Sequence, residues 1–414
     1  MSVHSSTQDL RDIFCSEAFH LLLGNYNPAI DTTTIFLDEV AKIEGNEKER
    51  RFLYQTVYQH EWFERQSFVY VPIVQMLRLN VERYRFVLEE LSKNPVVLKS
   101  ALLSTDIAIK RIIQGSASLL DAVHLFRAMH FTKDAKVKHI IKKYKERFLE
   151  ASGATEYYNS LERIREILNE DPFIVTYVAQ TAFNYPYLCP NPYEFVFSLP
   201  LQYSPNWRFE LLLDALEALY ERNYFESSHV KEISRTPTRL IEKLCFLTGM
   251  EYDFGNIPFR LFYENGPLRM YRRFFLPTNK DRSRTIWDKI PYMVLLKDKG
   301  ILGGSAARGS MRDLAYWRTL VELTTLGREI VEAITNIKDV TLVCPFQRGE
   351  LQHLRISIPK TKDKAFHPCG GNCSKNCITH KYGKRVRKII KICRSVEVPQ
   401  LENIWRELNR KKNQ

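Results

Sequence analysis

The sequence lacks the features that identify membrane and secreted proteins. It contains no uninterrupted apolar stretch of about eighteen residues, so we expect no transmembrane helix. Residues 1–9 do not combine a positively charged start with a following apolar block, and we therefore expect no secretory signal. The eight cysteines of such a chain are expected to be reduced thiols and not a disulfide framework. Together, these absences predict an intracellular protein that does not use a membrane as its partner.

Complete catalytic signatures are also absent. The motif Gly304-x-x-x-x-Gly309-Ser310 is similar to a P-loop, but the lysine that should follow its second glycine is missing. The sequence Gly303-Gly304-Ser305 is typical of nucleotidyltransferases, yet no Asp-x-Asp pair follows it to hold magnesium. We therefore expect residues 300–310 to form a flexible turn, with an anion-binding loop as the alternative.

Positive charge is the property in which the chain is rich. It has 61 lysines and arginines against 48 aspartates and glutamates, which gives a formal net charge of +13. Such an excess favours a polyanionic partner, namely nucleic acid, an anionic membrane or an acidic protein. With 414 residues and 44% hydrophobic content, the chain is long enough to bury a full core and to form two or three domains.

The apolar periodicity predicts a mainly α fold with a smaller α+β C-terminal part that carries a Cys/His knuckle. Residues 9–180 are predicted to be helices joined by short turns. Asn94-Pro95 marks a break before a helix, Thr236-Pro237 starts another helix, and Gly249 ends it. Further along the chain, we predict strands at 291–296, 340–346 and 351–358, the last two as a β-hairpin, and a helix at 311–334.

Three domains follow from these elements. They are a helical domain (1–190), a basic domain of helical and mixed structure (191–340), and a C-terminal domain (341–414) with the β-hairpin, a Cys/His cluster and basic helices. The first boundary rests on residues 183–193, whose three prolines and three tyrosines exclude a regular helix. We expect that segment to be a packed connector.

The Cys/His cluster is a candidate zinc site. Cys369, Cys373, Cys377 and His380 form a complete tetrahedral ligand set, and His367 is an alternate ligand. Four protein ligands leave no open position for water, so the zinc would be structural. Both gaps between the cysteines hold three residues, whereas most structural sites contain a two-residue gap. A surface loop that contains thiols is therefore the alternative.

The residues that follow this cluster are strongly basic. From Lys375 to Arg394 there are eight lysines and arginines and no acidic residue. Apolar residues at 386, 389, 390 and 392 follow helical spacing, which predicts a helix with one apolar and one cationic side. The candidate phosphate-binding residues on it are Lys384, Arg385, Arg387, Lys388 and Lys391. A solvated helix face or a nuclear-import signal is the alternative, and we expect a nuclear location.

Residues 257–318 form a second basic region, in which thirteen basic and five acidic residues are interleaved with aromatics. Arginine beside planar side chains suits phosphate contacts and base stacking. The candidate nucleic-acid-binding residues here are Arg269, Arg272, Arg273, Arg282, Arg284 and Arg308. A third basic stretch, 136–147, has five lysines and one arginine against one glutamate, and we expect it to be a solvated helix face.

In length and in these basic regions, the chain resembles the small accessory subunits of the baculovirus late-gene RNA polymerase. The residues that carry the resemblance are the arginine-aromatic block 257–318 and the segment 367–394. The resemblance concerns overall character and assigns no role to an individual residue. It implies a role in transcription, with catalysis performed by a larger partner.

The first functional hypothesis is therefore a non-catalytic nucleic-acid-binding subunit or regulator of an RNA polymerase complex, with the resemblance implying viral late gene expression. Its partners would be nucleic acid and larger polymerase subunits. One alternative is a nucleotide- or phosphodiester-processing enzyme that uses the 303–310 glycine segment with His353 or the metal site. No paired carboxylates accompany either element. The other alternative is a protein-interaction scaffold whose positive charge is generic.

Overall fold

The structure, a computed structural model, describes the chain in separate stretches. They are residues 24–27, 32–36, 47, eight residues between 72 and 86, 94–133, 135–168, 171–185, 191–225, 237–251, 293–298, 301–306, 311–335, 344–347, 349–357, 365–367 and 378–410. None of the helices in these stretches combines the length and the apolarity that a membrane crossing requires.

The described part of the chain is mainly α-helical, as predicted. It contains ten bounded α-helices, numbered here in chain order. They are α1 (Pro95–Gln114), α2 (Ala117–Phe131), α3 (Ala135–Ser152), α4 (Thr155–Ile167), α5 (Pro172–Phe183), α6 (Pro205–Glu221), α7 (Pro237–Thr248), α8 (Met311–Thr335), α9 (Ile378–Arg394) and α10 (Pro399–Arg410).

Several helices begin with a proline that follows a capping side chain. The Asn94 side chain accepts a hydrogen bond from the Val96 amide at 2.9 Å at the start of α1. Asp171 caps α5 in the same way. Proline suits the first helical position because its missing N–H would have no partner there. The predicted helix start at Pro237 is confirmed, and Gly249 follows that helix with φ of 66°, a conformation that favours glycine.

Helices α2 to α7, which follow one another along the chain, share one apolar core, called the local core below. Phe126, Tyr158, Phe183 and Phe209 are among its fully buried side chains. Aromatic rings of this kind each remove on the order of 150–250 Å² of surface from water. Because Phe183 and Phe209 lie on either side of residue 190, the predicted domain boundary there does not separate two cores.

The segment around that boundary packs against α1. Pro192–Phe195 and Leu201–Tyr203 are short 3-10 helices. Tyr185, Phe195 and Tyr203 are buried together with apolar residues of α1. Tyr185 of the predicted connector is thus packed, whereas Tyr193 is 42% exposed. The connector belongs to the same packed body as the helices before and after it.

Helix α1 is buried along most of its length and brings distant parts of the chain together. It contacts α8, α9 and α10, whose residues lie about 200 or more positions further along. The apolar residues of these four helices form a second core, called the long-range core below. Its fully or nearly fully buried members are Leu98, Leu102, Leu103, Ile107, Leu326, Ile330, Val331, Ala333, Ile334, Val386, Ile389, Ile390, Cys393, Trp405 and Leu408.

Six short strands form one sheet in the order β1-β2-β3-β4-β5-β6. They are β1 (Gly24–Asn27), β2 (Thr32–Phe36), β3 (Met293–Asp298), β4 (Ile301–Ala306), β5 (Arg355–Ser357) and β6 (Ala365–Phe366). The pairs β2–β3 and β4–β5 are parallel and the other three are antiparallel. The strands thus come from both ends of the chain, whereas the sequence predicted a β component confined to the C-terminal part.

Two sequence predictions are wrong in this region. Residues 24–36 were expected within a helical stretch, but they supply β1 and β2, and the β-branched run Thr32–Ile35 suits a strand. The predicted hairpin of 340–346 with 351–358 does not form over its described residues. Pro345–Gln347 and Gly349–His353 are 3-10 helices, and β5 pairs with β6 instead. Pro345 lacks the N–H that a strand ladder needs.

Candidate nucleic-acid interface

Helix α9 is the amphipathic helix that the sequence predicts. Val386, Ile389 and Ile390 are buried in the long-range core, as expected from their spacing. Ile392, predicted on the same side, is 38% exposed, and Cys393 occupies the core instead. At about 100° per residue, position 393 lies about 20° from position 386 around the helix, whereas 392 lies about 120° away. Burial raises the pKa of the Cys393 thiol to about 11, so this cysteine is a neutral core residue.

Both ends of α9 are held by α8. The backbone N–H of Thr379 in the first turn donates to the Glu322 carboxylate at 3.4 Å. A carboxylate at this position interacts favourably with the helix dipole. At the other end, the Arg394 side chain donates through Nε to the Ala333 carbonyl at 2.6 Å. Helix α9 is therefore fixed to the body of the protein along its whole length.

The solvent side of α9 carries one continuous cationic stripe, formed by the exposed side chains of Lys384, Arg387, Lys388 and Lys391. Their i, i+3, i+4, i+7 spacing places them within an arc of about 100° and a length of about 10 Å. The helix contains no acidic residue, and no described carboxylate pairs with any of the four. The fifth candidate, Arg385, is only partly exposed and lies beside the stripe. We call these four residues the α9 stripe.

Helix α10 supports this arrangement from the other side of the long-range core. The Lys99 ammonium of α1 lies 2.6 Å from the Glu402 carboxylate and also donates to the Val396 carbonyl at 2.7 Å. Lys99 is 3% exposed, so the pair is shielded from water. The Trp405 and Leu408 side chains insert into the core beside α9. These contacts connect the end of the described chain to α1.

A buried carboxylate lies at the centre of this junction. Asp106 of α1 accepts hydrogen bonds from Arg83 at 2.7 Å and from the Trp405 indole N–H at 2.7 Å, and Lys110 lies 2.9 Å away. Burial alone raises the pKa of Asp106, but the charges of Lys110 and Arg83 lower it more strongly. Its pKa consequently lies well below the usual range, and the carboxylate stays ionised inside the protein. Lys110 also donates to Asn409 at 2.7 Å.

Helix α3 carries the other described basic surface. Its exposed lysines are Lys136, Lys138, Lys142 and Lys143. Exposed Glu146 and Glu150 lie on the same helix, and Lys145 lies over the Tyr158 ring at 4.5 Å. Because exposed side chains of both signs lie on this helix, it matches the solvated face that the sequence predicts. The α9 stripe differs by its single sign.

A histidine–carboxylate contact in the local core was not expected from the sequence. His130 Nε2 lies 3.1 Å from the Glu162 carboxylate, which also interacts with Arg165 at 2.8 Å. His130 and Glu162 lie 32 residues apart on α2 and α4, and no short motif links them. His124, by contrast, is fully buried and His139 is exposed.

Most of the other predicted site residues lie outside the described part of the chain. These are Arg269, Arg272, Arg273, Arg282, Arg284, Arg308, Cys369, Cys373 and Cys377. The backbone of His380 belongs to the first turn of α9, but its side chain is also outside that part. His367, the predicted alternate zinc ligand, is half-buried, and its Nε2 lies 3.2 Å from the Leu351 carbonyl. In the described residues, no group of three or more potential metal ligands occurs.

The glycine segment differs from its prediction. Gly303 and Gly304 lie within β4 and pair with β3 on one side and β5 on the other. The expected flexible turn is therefore wrong for 301–306, and the amides of a central strand are committed to the sheet and not to an anion. Residues 307–310 lie outside the described residues. His353, the other member of the enzyme hypothesis, is exposed in a 3-10 helix.

Comparison with protein-family models, with curated proteins and with solved structures found no match to this chain in any of the three.

Proposed function

We propose that this protein binds nucleic acid through the α9 stripe and acts as a non-catalytic subunit or regulator of a transcription complex. The observation that carries the proposal is the single-sign stripe of Lys384, Arg387, Lys388 and Lys391 on a helix fixed to the protein body. Such a surface attracts phosphates, and binding gains free energy from the counterions that it releases. The net charge of +13 steers the chain towards polyanions in the same sense.

The transcription role rests on the resemblance to accessory subunits of the baculovirus late-gene RNA polymerase. In that role, larger polymerase subunits perform catalysis and this chain contributes nucleic-acid contacts. Purification of the tagged full chain from its native cells, followed by identification of the bound proteins, tests this part. Recovery of polymerase subunits after nuclease treatment supports it, whereas recovery of acidic proteins unrelated to transcription supports the scaffold alternative.

The binding itself is tested with the variant K384Q/R387Q/K388Q/K391Q. We expect it to bind short fluorescent nucleic acids at least about tenfold more weakly than the parent at low salt, because four phosphate contacts are lost. Fluorescence anisotropy measures the affinity. Since all four side chains are exposed, thermal unfolding should be nearly unchanged.

The variant K136Q/K138Q/K142Q/K143Q is a matched control. It removes the same number of positive charges from exposed positions of α3 and leaves α9 intact. If both variants lose affinity equally, the loss reflects net charge and not a site on α9. If neither the parent nor either variant binds DNA or RNA at low salt, the proposal is wrong.

We also propose that Cys369, Cys373, Cys377 and His380 hold one structural zinc, with His367 as the alternate ligand. The argument is the density of thiols in a chain expected to be reduced, directly before α9 begins at Ile378. Zinc binding would deprotonate the thiols and add local folding free energy next to the α9 stripe. Elemental analysis of protein purified without chelator should give one zinc per parent chain and less in Cys373→Ser. An equal content in both, or none in the parent, contradicts the site.

A further inference from the structure

We infer that the α9 stripe contacts the phosphates of duplex nucleic acid and does not discriminate between base sequences. This inference rests on the proposed nucleic-acid binding and specifies which chemical groups of the polymer are recognised. Three of the four side chains in the stripe are lysines, which act as flexible point charges. A side chain of that kind can reach phosphates in many registers. The stripe therefore has the composition of a backbone contact.

The side chains that usually read bases are missing from the described surface of α9. Asparagine and glutamine, which pair with adenine edges, do not occur among its exposed side chains. Arg387 is the single exposed arginine of the stripe that could pair with guanine, and it is flanked by Lys384, Lys388 and Lys391. One such contact among four point charges gives little sequence preference compared with the phosphate contacts.

An aromatic platform for unpaired bases is also missing from the described side chains of α9 and α10. Single-stranded nucleic acids are usually held by aromatic rings on which successive bases stack. Trp405, the aromatic residue of α10, is buried at 8% exposure, and its indole N–H is already bonded to Asp106. The exposed apolar residue beside the stripe is Ile392, which has no ring. These features favour a duplex over a single strand.

The fixed position of helix α9 also suits contacts with phosphates. The stripe lies on a helix whose opposite side is buried at Val386, Ile389, Ile390 and Cys393. The four cations therefore project from one fixed line of about 10 Å without any ordering of the backbone on binding. A line of that length spans the phosphates of a few neighbouring nucleotides on one strand, since these are about 3.4 Å apart along the helix axis.

The test measures how affinity depends on salt for several duplexes of different base sequence. For duplex DNA, the slope of log K against log salt changes by about 0.9 for each phosphate contact. The variant K384Q/R387Q/K388Q/K391Q should thus have a slope shallower than the parent by about 3.6. The α3 variant K136Q/K138Q/K142Q/K143Q should keep the parental slope. Using the difference between variants removes contributions from basic residues elsewhere in the chain.

Base discrimination is measured in the same experiment. We expect AT-rich, GC-rich and mixed duplexes to bind the parent within about fivefold of one another, which is the smallest discrimination that one good base contact provides. A larger preference that disappears in the α9 variant overturns this inference but leaves the proposed nucleic-acid binding intact. Tighter binding of single-stranded oligonucleotides through the same four residues has the same consequence.

Two further outcomes are distinguishable from these. If the parent binds no nucleic acid at all, the proposed function and this inference both fall. Vesicles containing phosphatidylserine serve as the competing anionic surface, because a basic amphipathic helix can also bind a membrane. If such vesicles bind through the α9 stripe whereas duplexes bind equally well to the parent and to the α9 variant, both proposals are wrong and the stripe is a membrane contact.

Discussion

The local core and the long-range core contain the same kinds of apolar side chain, but different parts of the chain build them. The local core comes from α2 to α7, which are consecutive between Ala117 and Thr248. The long-range core joins α1 to α8, α9 and α10, so that Asp106 and Trp405 meet across 299 positions. The first core can form from neighbouring helices, whereas the second requires closure of very long loops. Contacts that hold the distant helices in place are therefore especially important there.

The two regions also treat buried charge differently. In the local region, the buried Arg208 donates to the backbone carbonyls of Ala182 and Glu251, at 3.0 and 2.7 Å. In the long-range region, Asp106 instead meets the charged groups of Arg83 and Lys110. The carbonyls that accept from Arg208 are neutral, whereas a buried carboxylate between two cations makes all three groups depend on one another. The hydrogen bonds and ion pairs between α1 and α10 thus come from a few side chains.

Asp106→Asn should break the long-range region most severely. The amide keeps the shape of the carboxylate but removes the negative charge that lies 2.7 Å from Arg83 and 2.9 Å from Lys110, two largely buried cations. We expect a loss of about 3–5 kcal/mol in the free energy of unfolding. Urea denaturation followed by circular dichroism measures this loss.

The matched control is Asp214→Asn, the same change at an exposed position of α6 in the local region. It should alter the free energy of unfolding by less than about 0.5 kcal/mol. Equal stability of the two variants would show that Asp106 does not fasten the distant helices.

Trp405→Phe should have an intermediate effect. Phenylalanine keeps an aromatic ring in the long-range core but removes the N–H that donates to Asp106 at 2.7 Å. A hydrogen bond to a charged group that cannot be replaced by water is worth about 1.5–3 kcal/mol. We expect a loss of that size in the free energy of unfolding.

The local counterpart is Tyr158→Phe, which removes the phenol that donates to Glu162. The Glu162 side chain is 27% exposed, so water can replace the lost donor. We expect a loss of about 0.5–1.5 kcal/mol in the free energy of unfolding, which is less than for Trp405→Phe. If Tyr158→Phe and Trp405→Phe lower the free energy of unfolding equally, the greater burial of the Trp405 hydrogen bond does not make it stronger.

The same contrast explains how much of the fold the sequence could predict. The helix starts at Pro95 and Pro237 and the buried side of α9 follow from local signals, namely capping, proline and apolar spacing. The pairing of Asp106 with Arg83 and Trp405 has no local signal, because each partner is far away in the chain. Periodicity identifies which side of a helix is buried but not which helix covers it.

The errors have equally local causes. Glycine-rich sequence at 303–304 suggested a turn, but these residues lie in a central strand where neighbours on both sides supply the hydrogen bonds. Tertiary pairing overrode the local preference of glycine. At the candidate interface, the sequence identified the cations of α9 because their positions depend only on helical spacing. The sequence also placed Ile392 on the apolar side of α9. In the structure, Cys393 is buried in the core at that side and Ile392 is exposed.

Acid should weaken both regions, although by less than the substitutions above. Burial alone raises the pKa of Glu162, but hydrogen bonds from His130 and Tyr158 lower it to about 2. The unfolded chain, with an ordinary glutamate pKa, takes up its proton first as the pH falls. The stabilisation from ionised Glu162 is therefore complete above about pH 5 and is lost progressively towards pH 2. Asp106, whose pKa its two cations hold well below the usual range, stays ionised in the folded protein, but its stabilisation is likewise lost as the unfolded chain takes up its proton below about pH 5.

Glu162→Gln isolates the local contribution, because glutamine does not titrate. At pH 7 the variant should be less stable than the parent, and the difference should shrink as the pH is lowered from 5 to 2. Guanidinium unfolding at a series of pH values measures the difference, and Glu166→Gln on the same helix, whose side chain is 61% exposed, provides the baseline. A difference between parent and Glu162→Gln that stays constant over this range would mean that the Glu162 contact with His130 and Tyr158 does not depend on its charge. In that case the acid sensitivity of the local region has another source.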